Sequence, residues 1–256
     1  MALEAPPLRC RHCGAPASLD ATACGYCGQP IEPLELLKSG SDSLRRAAAE
    51  CEMTLRKDPR DPVALVCLGA HLLRQGLYDD AVRYLKRAVD AAPTSAEGHY
   101  FLALAEAQRF GWTSAFVEEC IAKAERLSPE SKSVQSLRAV LRGIKALDQG
   151  SRPALQRAID EFHRAAALDP RNPYAYFFVA EAFDRGGCPK EAIEAYRKTA
   201  ERLHDDPKVF IKLGLLYKKT GEPRLALEQF LRALALDPNN AAVKELAAAL
   251  KKRSGG

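Results

Sequence analysis

The sequence lacks the features that mark membrane-spanning and secreted proteins. Its 256 residues contain no run of about 18 apolar residues, so no membrane span is expected. Residues 1–7 show no basic segment leading into an apolar stretch, which argues against a secretory signal and for a cytoplasmic protein. The net charge of +5 is too small to imply nucleic-acid binding by itself.

Aromatic residues are also scarce. They make up 7% of the chain, whereas apolar residues in total make up 47%. The apolar fraction is ordinary for a globular protein and excludes wholesale disorder. Few aromatics together with many alanines favour closely packed helices over a β-sandwich.

Motifs of catalysis are missing as well. The sequence contains no nucleophile elbow G-x-S-x-G, no phosphate-binding loop and no H-E-x-x-H zinc motif. Its five histidines are dispersed without paired spacing. We therefore predict that the protein is not an enzyme.

The sequence does contain eight cysteines, and four of them form a compact pattern. The pattern is C-x2-C-x10-C-x2-C, made by Cys10, Cys13, Cys24 and Cys27. Two residues between thiols allow one tight turn to direct both sulfurs at a single ion, and two such turns supply four tetrahedral ligands. One structural Zn²⁺ is therefore predicted. A redox pair or disulfides are the alternative, although a thioredoxin-like pair would need a βαβ context that is not visible here.

This segment resembles a short zinc ribbon of the bacterial zinc-knuckle type. The resemblance implies a module over 1–31, followed by a linker over 32–42. So few residues bury too little apolar surface to fold alone, so metal binding would drive folding. Four thiolates leave no open coordination position, which argues against zinc catalysis.

The other cysteines are scattered. Cys51, Cys67 and Cys120 fall in predicted helices and are interpreted as small buried hydrophobic residues. Cys188 lies in the predicted turn after Gly187, where it is expected to be more accessible.

A 34-residue pattern occurs downstream. Residues 62–95 and 207–240 share small, apolar and turn residues at a constant offset of 145. The matching pairs include Gly69/Gly214, Gly76/Gly221, Ala81/Ala226, Leu85/Phe230, Ala88/Ala233 and Pro93/Pro238. The apolar spacing predicts two helices per unit, with glycine ending the first and proline following the second. Small residues would let the paired helices approach closely.

This pattern resembles the tetratricopeptide repeat. The resemblance implies a mainly α fold, an α-solenoid of antiparallel helix pairs, over residues 43–252. The predicted units are a partial one at 43–59, then 62–95, 98–131, 132–170, 173–206 and 207–240, with a capping helix at 241–252. The unit at 132–170 fits in its second half only and carries about seven extra residues, expected in a longer first helix or in the turn at 148–153.

By the same resemblance, positions 2, 5, 9, 12 and 13 of each unit face a concave groove. The candidate partner-binding residues are Val66, Ala70, Tyr174, Phe177, Glu181, Lys208, Ile211, Leu215 and Lys218. Val66, Ile211 and Leu215 could instead pack against the neighbouring unit. The groove pattern suits an amphipathic helix or an extended segment of a protein partner.

Three functions remain open at this point, one of which is a redox or metal sensor in which oxidation ejects the zinc and releases the ribbon. The first is an adaptor that binds protein or peptide segments through the repeats, with the zinc ribbon as a second interaction module. The alternative is nucleic-acid binding through the ribbon and the C-terminal end. Residues 207–256 hold ten Lys and Arg against four acids, a net charge of 10 − 4 = +6.

Overall fold

The computed structural model describes residues 8–9, 16–17, 41–203 and 206–254 of the chain. Two short strands, β1 (Leu8–Arg9) and β2 (Pro16–Ala17), pair antiparallel, with Leu8 opposite Ala17 and Arg9 opposite Pro16. The four cysteines of the predicted zinc site lie outside the described residues. No cluster of metal-ligating side chains occurs within the described ones.

Helices make up nearly all of the remaining described chain. They are α1 (Ser41–Lys57), α2 (Pro62–Arg74), α3 (Tyr78–Ala91), α4 (Ala96–Phe110), α5 (Ala115–Leu127), α6 (Lys132–Leu147), α7 (Arg152–Leu168), α8 (Pro173–Arg185), α9 (Pro189–Ala200), α10 (Pro207–Lys219), α11 (Pro223–Leu236) and α12 (Ala241–Ser254). No helix among the described residues is both long and apolar enough to cross a membrane. The predicted helical repeat architecture is confirmed.

The chain divides into two compact units. Unit 1 ends at Leu141 and unit 2 begins at Arg142, so the division falls within α6. In unit 1, α2 packs on α3 and α4 packs on α5. In unit 2, α8 packs on α9, α10 packs on α11, and α12 packs on α11.

Aspartate–proline turns separate successive helix pairs. After the second helix of a pair, Asp58, Asp169 and Asp237 each accept a hydrogen bond from the backbone N–H two residues later. Of the helices that follow these turns, α2 and α8 begin with proline after the capping side chains of Asp61 and Asn172, whereas α12 begins with Ala241 after the capping side chain of Asn240. Proline suits this position because its missing N–H would be unsatisfied there anyway. These caps fix where each repeat starts.

The two helices of a pair approach closely at a glycine. A Cβ atom on Gly69 would lie 2.5 Å from Leu85 Cγ, and one on Gly214 would lie 2.5 Å from Phe230 Cε1. The conformation of Gly221, with φ of +83°, ends the preceding first helix in the left-handed region. These are the small and turn residues that recur at the offset of 145.

The same close approach identifies the first half of the irregular unit. A Cβ atom on Gly143 would lie 2.4 Å from Phe162 Cε1, so Gly143 stands where Gly69 and Gly214 stand in their own pairs. Both helices of this pair are long, with 16 residues in α6 and 17 in α7. The extra residues therefore lengthen both helices, rather than the first helix or the turn alone.

Large apolar and aromatic side chains fill the interior of each unit. In unit 1, Leu65, Leu85, Phe101 and Ile121 are fully buried, and in unit 2, Phe162, Tyr196 and Phe230 are. Cys51 packs in an apolar cluster between α1 and α2, and Cys120 is buried in α5. Cys67 and Cys188 are half-buried.

Candidate functional site

The candidate site of unit 2 is the side of α8 and α10 that carries Tyr174, Phe177 and Glu181 together with Lys208, Ile211, Leu215 and Lys218. We call it the first-helix face. Its members are spaced by three and four residues, which places them on one side of each helix. Tyr174, Phe177 and Ile211 are half-buried, whereas Lys208, Leu215 and Lys218 are exposed.

Glu181 is the centre of a polar cluster on this face. The Tyr196 hydroxyl donates a hydrogen bond of 2.8 Å to Glu181 Oε2. Lys212 Nζ lies 2.9 Å from Oε2 and 3.1 Å from Oε1, and Arg185 Nε lies 3.8 Å from Oε1. Because the Glu181 side chain is only 16% exposed, these donors are what makes its burial tolerable.

The cluster keeps the Tyr196 hydroxyl protonated. Burial raises the pKa of Tyr196 far above its ordinary value, and the neighbouring Glu181 carboxylate raises it further. The hydroxyl therefore acts as a fixed hydrogen-bond donor to Glu181 at physiological pH.

A second ion pair joins the same two helices. Lys219 Nζ lies 3.0 Å from Asp184 Oδ1, so both acids of the α8 face are neutralised by lysines of α10. The Arg185 guanidinium, which also lies near Glu181, places its Nη1 3.7 Å from Asp148 Oδ1. Beyond these pairs, α10 presents the exposed side chains of Leu215 and Lys218 on this face.

Aromatic rings line the α8 part of the face. The rings of Phe177 and Tyr196 meet edge to face at 5.5 Å, and those of Phe177 and Phe178 at 5.3 Å. Edge-to-face packing fixes the ring of Phe177 while leaving part of it accessible. A fixed aromatic surface beside an aliphatic and cationic helix is an arrangement that can hold an amphipathic segment.

The candidate residues of unit 1 lie differently. Val66 is buried in α2, where it contributes to the interior, and Ala70 is half-buried. A second buried acid, Glu106 of α4, pairs with Lys86 Nζ of α3 at 2.9 Å. Unit 1 therefore presents less accessible surface at the predicted positions than unit 2 does.

Sequence reasoning missed Tyr196, Lys212 and the pairing of Asp184 with Lys219. A signal was present, because an acid on one repeat is followed about one period later by a lysine: Glu181 by Lys212 after 31 residues, and Asp184 by Lys219 after 35. An acid and a base at that spacing lie on adjacent first helices.

Three segments of the chain match tetratricopeptide repeat families: residues 62–106, 142–207 and 207–240. Among curated proteins, the chain is 26% identical over 136 residues to small glutamine-rich tetratricopeptide repeat-containing protein 2 of Mycosarcoma maydis, and 32% identical over 84 residues to BBSome complex member BBS4 of Bos taurus. These matches cover 53% and 33% of this chain, but only 34% and 16% of the relatives' own lengths.

Solved structures agree on the fold. A tetratricopeptide repeat protein from Parabacteroides merdae ATCC 43184 aligns with a TM-score of 0.56 at 16% identity, covering 82% of this chain and 78% of that one. The APC/C hetero-tetramer Cut9-Hcn1 aligns with a TM-score of 0.55 at 18% identity, covering 82% of this chain and 40% of that one. Together with the helix pairs described above, these matches show that the helical part of the chain is built from tetratricopeptide repeats.

Proposed function

We propose that this protein is a non-enzymatic adaptor that binds a protein or peptide segment through the first-helix face of unit 2. Proteins built from these repeats typically act as scaffolds for protein interactions. The observation that supports the proposal here is the juxtaposition of a fixed aromatic surface on α8 with exposed Leu215 and Lys218 on α10. Because Glu181 and Asp184 are already neutralised, the face repels neither apolar nor acidic groups of a partner.

Affinity capture with matched variants tests this function. Leu215→Ser removes an exposed apolar side chain from the face, whereas Leu225→Ser removes a similarly exposed one from α11. We expect Leu215→Ser to lose the proteins that the unchanged chain captures from native lysate, and Leu225→Ser to retain them. Equal capture by both variants would exclude the first-helix face as the binding surface. Circular dichroism confirms that both variants fold.

We propose further that Cys10, Cys13, Cys24 and Cys27 hold one structural Zn²⁺. The donor set fits, because four thiolates in two closely spaced pairs complete a tetrahedral site. The pairing of β1 with β2 also supports this site, since Arg9 lies opposite Pro16 and residues 10–15, which include Cys10 and Cys13, connect the two strands. A reducing cytoplasmic location would keep these thiols available to the metal.

Metal analysis of the purified chain tests the zinc proposal separately from partner binding. We expect one zinc per chain, and its loss in the Cys24→Ser, Cys27→Ser double variant. Cys67→Ser and Cys188→Ser are the matched controls and should retain the metal. A metal-free wild-type chain, purified without chelator, would overturn the proposal while leaving the adaptor function untouched.

Nucleic-acid binding is the less favoured candidate. Of the ten cations in residues 207–256, Lys212 and Lys219 are engaged by acids of α8, and Arg232 pairs with Glu228 at 2.9 Å. Phe210 and Phe230 are buried and offer no surface on which a base could stack. Binding to single-stranded RNA that weakens steeply with salt would favour this alternative over the adaptor.

A further inference from the structure

Cations outnumber acids on the two helices that carry the first-helix face. The charged side chains of α8 and α10 are two acids, Glu181 and Asp184, and five cations, Arg185, Lys208, Lys212, Lys218 and Lys219. Asp148, whose Oδ1 lies 3.7 Å from Arg185 Nη1, is a third acid at the edge of this group. Five cations less three acids leave a net charge of +2, so the acids within the group do not neutralise it.

This surplus of positive charge is not a general property of first helices. Apart from two histidines, the charged side chains of α2 and α4 in unit 1 are two arginines, Arg74 and Arg109, and two glutamates, Glu97 and Glu106. Their charges balance, although α2 packs on α3 as α10 packs on α11. Pairing of the helices therefore does not require the excess positive charge of α8 and α10.

The ion pairs between α8 and α10 present their cationic side to solvent. The Glu181 side chain is 16% exposed, whereas that of its partner Lys212 is 36% exposed. The Asp184 side chain is 31% exposed, whereas that of its partner Lys219 is 57% exposed. Lys218 is exposed beside them, and no ion pair joins it to an acid that the structure describes. A partner that approaches this surface therefore meets ammonium groups before it meets carboxylates.

An exposed apolar side chain lies among these cations. Leu215 follows Lys212 by three residues and precedes Lys219 by four, so the three side chains share one side of α10. Because Lys212 and Lys219 both reach acids of α8, this side of α10 is continuous with the α8 part of the face. Such a surface is complementary to carboxylates that flank an apolar side chain. A nucleic-acid backbone supplies anions but no apolar group between them.

We propose that the first-helix face of unit 2 recognises an acidic protein segment, in which apolar side chains are interspersed with Asp or Glu carboxylates. The proposal rests on the adaptor function proposed above and adds the chemistry of the partner to it. An apolar side chain of the segment packs on Leu215, and its carboxylates pair with the surrounding lysines. Lys208 and Lys218 are about 15 Å apart along α10, at 1.5 Å per residue, so an extended segment of about five residues spans them.

Fluorescence anisotropy of the full chain with synthetic peptides tests this specificity. The probe is a peptide of about twelve residues in which leucines are spaced among glutamates. It carries a neutral dye, and its C-terminus is amidated so that side chains supply its only carboxylates. Two further peptides keep the leucines but replace every glutamate by glutamine or by lysine. We expect the glutamate peptide to bind about fivefold or more tightly than the glutamine peptide, and the lysine peptide not to bind.

A pair of charge-reversal variants locates the binding surface. Lys218→Glu should raise the dissociation constant of the glutamate peptide by about fivefold or more, because it reverses a charge that the peptide contacts. Lys190→Glu is the matched control, since it changes the net charge equally at an exposed position of α9. It should bind the peptide as the unchanged chain does, and circular dichroism should show that both variants fold. Equal weakening by the two variants would overturn the proposal, because net charge alone would then explain the binding.

Affinity capture with Leu215→Ser separates this inference from the adaptor function. We expect that variant to lose both the captured proteins and the glutamate peptide. If it loses the captured proteins while the unchanged chain binds the glutamate and glutamine peptides equally, the acidic specificity is overturned and the adaptor function stands. If it captures proteins as the unchanged chain does, the adaptor face itself is overturned. Tighter binding of a single-stranded oligouridylate than of the glutamate peptide, abolished by Lys218→Glu, would overturn the proposal in favour of nucleic acid.

Discussion

The two units of the molecule each bury a glutamate, and they stabilise it by different means. Glu106 in unit 1 is 4% exposed and pairs with Lys86, whereas Glu181 in unit 2 is 16% exposed and receives Tyr196, Lys212 and Arg185. The hydroxyl donor to Glu181 traces to one position on the second helix. Fifteen residues after Glu181 stands Tyr196, but fifteen residues after Glu106 stands Ile121, which has no hydroxyl to donate.

This contrast teaches that the same repeat position can serve two roles. In unit 1 the acid is nearly sealed from solvent, so its single cation determines whether the burial is tolerable. In unit 2 the acid is shared among several donors at an accessible surface, so losing one donor leaves others. The following predictions test this contrast, from the largest expected effect to the smallest.

Removing the single cation from unit 1 should have the largest effect. Lys86→Met leaves the buried Glu106 carboxylate without its ion-pair partner, and we expect a loss of about 3 kcal/mol in the free energy of unfolding. Lys212→Met should cost about 1 kcal/mol, because Glu181 retains Tyr196 and Arg185. Urea unfolding followed by circular dichroism measures both. The double variant Lys86→Met, Glu106→Gln should recover much of the loss; comparable losses in the two single variants would contradict the contrast.

Adding a methyl group at the close helix contacts should destabilise the two units by different amounts, because the side chains that face the two glycines differ in rigidity. Gly214→Ala should cost about 2 kcal/mol, because the new Cβ atom meets the rigid ring of Phe230. Gly69→Ala should cost less, since Leu85 can adopt another rotamer. Thermal unfolding midpoints report the order. Gly98→Ala is the control, because its Cβ atom would lie 3.3 Å from Val89 Cγ2 and needs only a small adjustment. The reverse order of the first two variants would refute the packing argument.

Removing the Tyr196 hydroxyl should leave Glu181 with fewer hydrogen-bond donors and so make it more like Glu106 of unit 1. Tyr196→Phe keeps the buried ring but deletes the 2.8 Å hydrogen bond to Glu181. The expected loss is about 1.5 kcal/mol, as for a hydrogen bond to a charged group. In the Lys212→Met background the same change should cost more, because fewer donors then remain. A double-mutant cycle from urea unfolding gives this coupling, and strict additivity would argue against a shared cluster.

Two histidines of unit 1 should lower its stability in acid. Burial lowers the pKa of His71 and of His99, whose Nε2 lies 3.0 Å from the Pro93 carbonyl oxygen. At these two groups the unfolded chain binds protons at a higher pH than the folded one, so their contribution to stability falls as pH drops below about 6.5. Glu97 of the same unit acts in the opposite direction, because burial raises the pKa of its carboxyl to about 7.

We expect the His99→Asn variant to lose less stability between pH 7.5 and pH 5.5 than the unchanged chain does, by about 1 kcal/mol or less. Urea unfolding at the two pH values measures it. His163→Asn, which changes an exposed histidine of unit 2, is the control variant. A His99→Asn variant with the full pH dependence would show that other groups are responsible.

The sequence carries enough information to predict the helix pairs, because the residues that build them recur at a fixed offset. Gly69 and Gly214 show it: their smallness is visible in the sequence, and the facing Leu85 and Phe230 confirm the reason. Gly143 was not recognised as their equivalent, since four extra residues precede it and three more separate it from Phe162, which hides the period. Position and residue type therefore sufficed only where the spacing was regular.

The candidate site was less predictable for a physical reason. Whether Glu181 offers a charge to a partner depends on side chains from two other helices, Tyr196 and Lys212, and repeat position alone does not state such contacts. Likewise, Val66 and Ile211 occupy the same repeat position, yet Val66 is buried and Ile211 is half-buried. Exposure is a property of the neighbours, so a single unit's sequence does not determine it. The zinc site and the groove assignments stay predictions.

The irregular helix pair, with its close contact between Gly143 and Phe162, shows how the number of inserted residues determines where side chains point around a helix axis. Its surplus of four residues before Gly143 and three between Gly143 and Phe162 amounts to about one helical turn in each interval, given about 3.6 residues per turn. An insertion of that size lengthens a helix while returning each side chain to nearly its original azimuth. Insertions of one or two residues would rotate the apolar stripe away from its neighbour. Such a repeat can therefore lengthen by whole helical turns and keep the same side chains facing its neighbour.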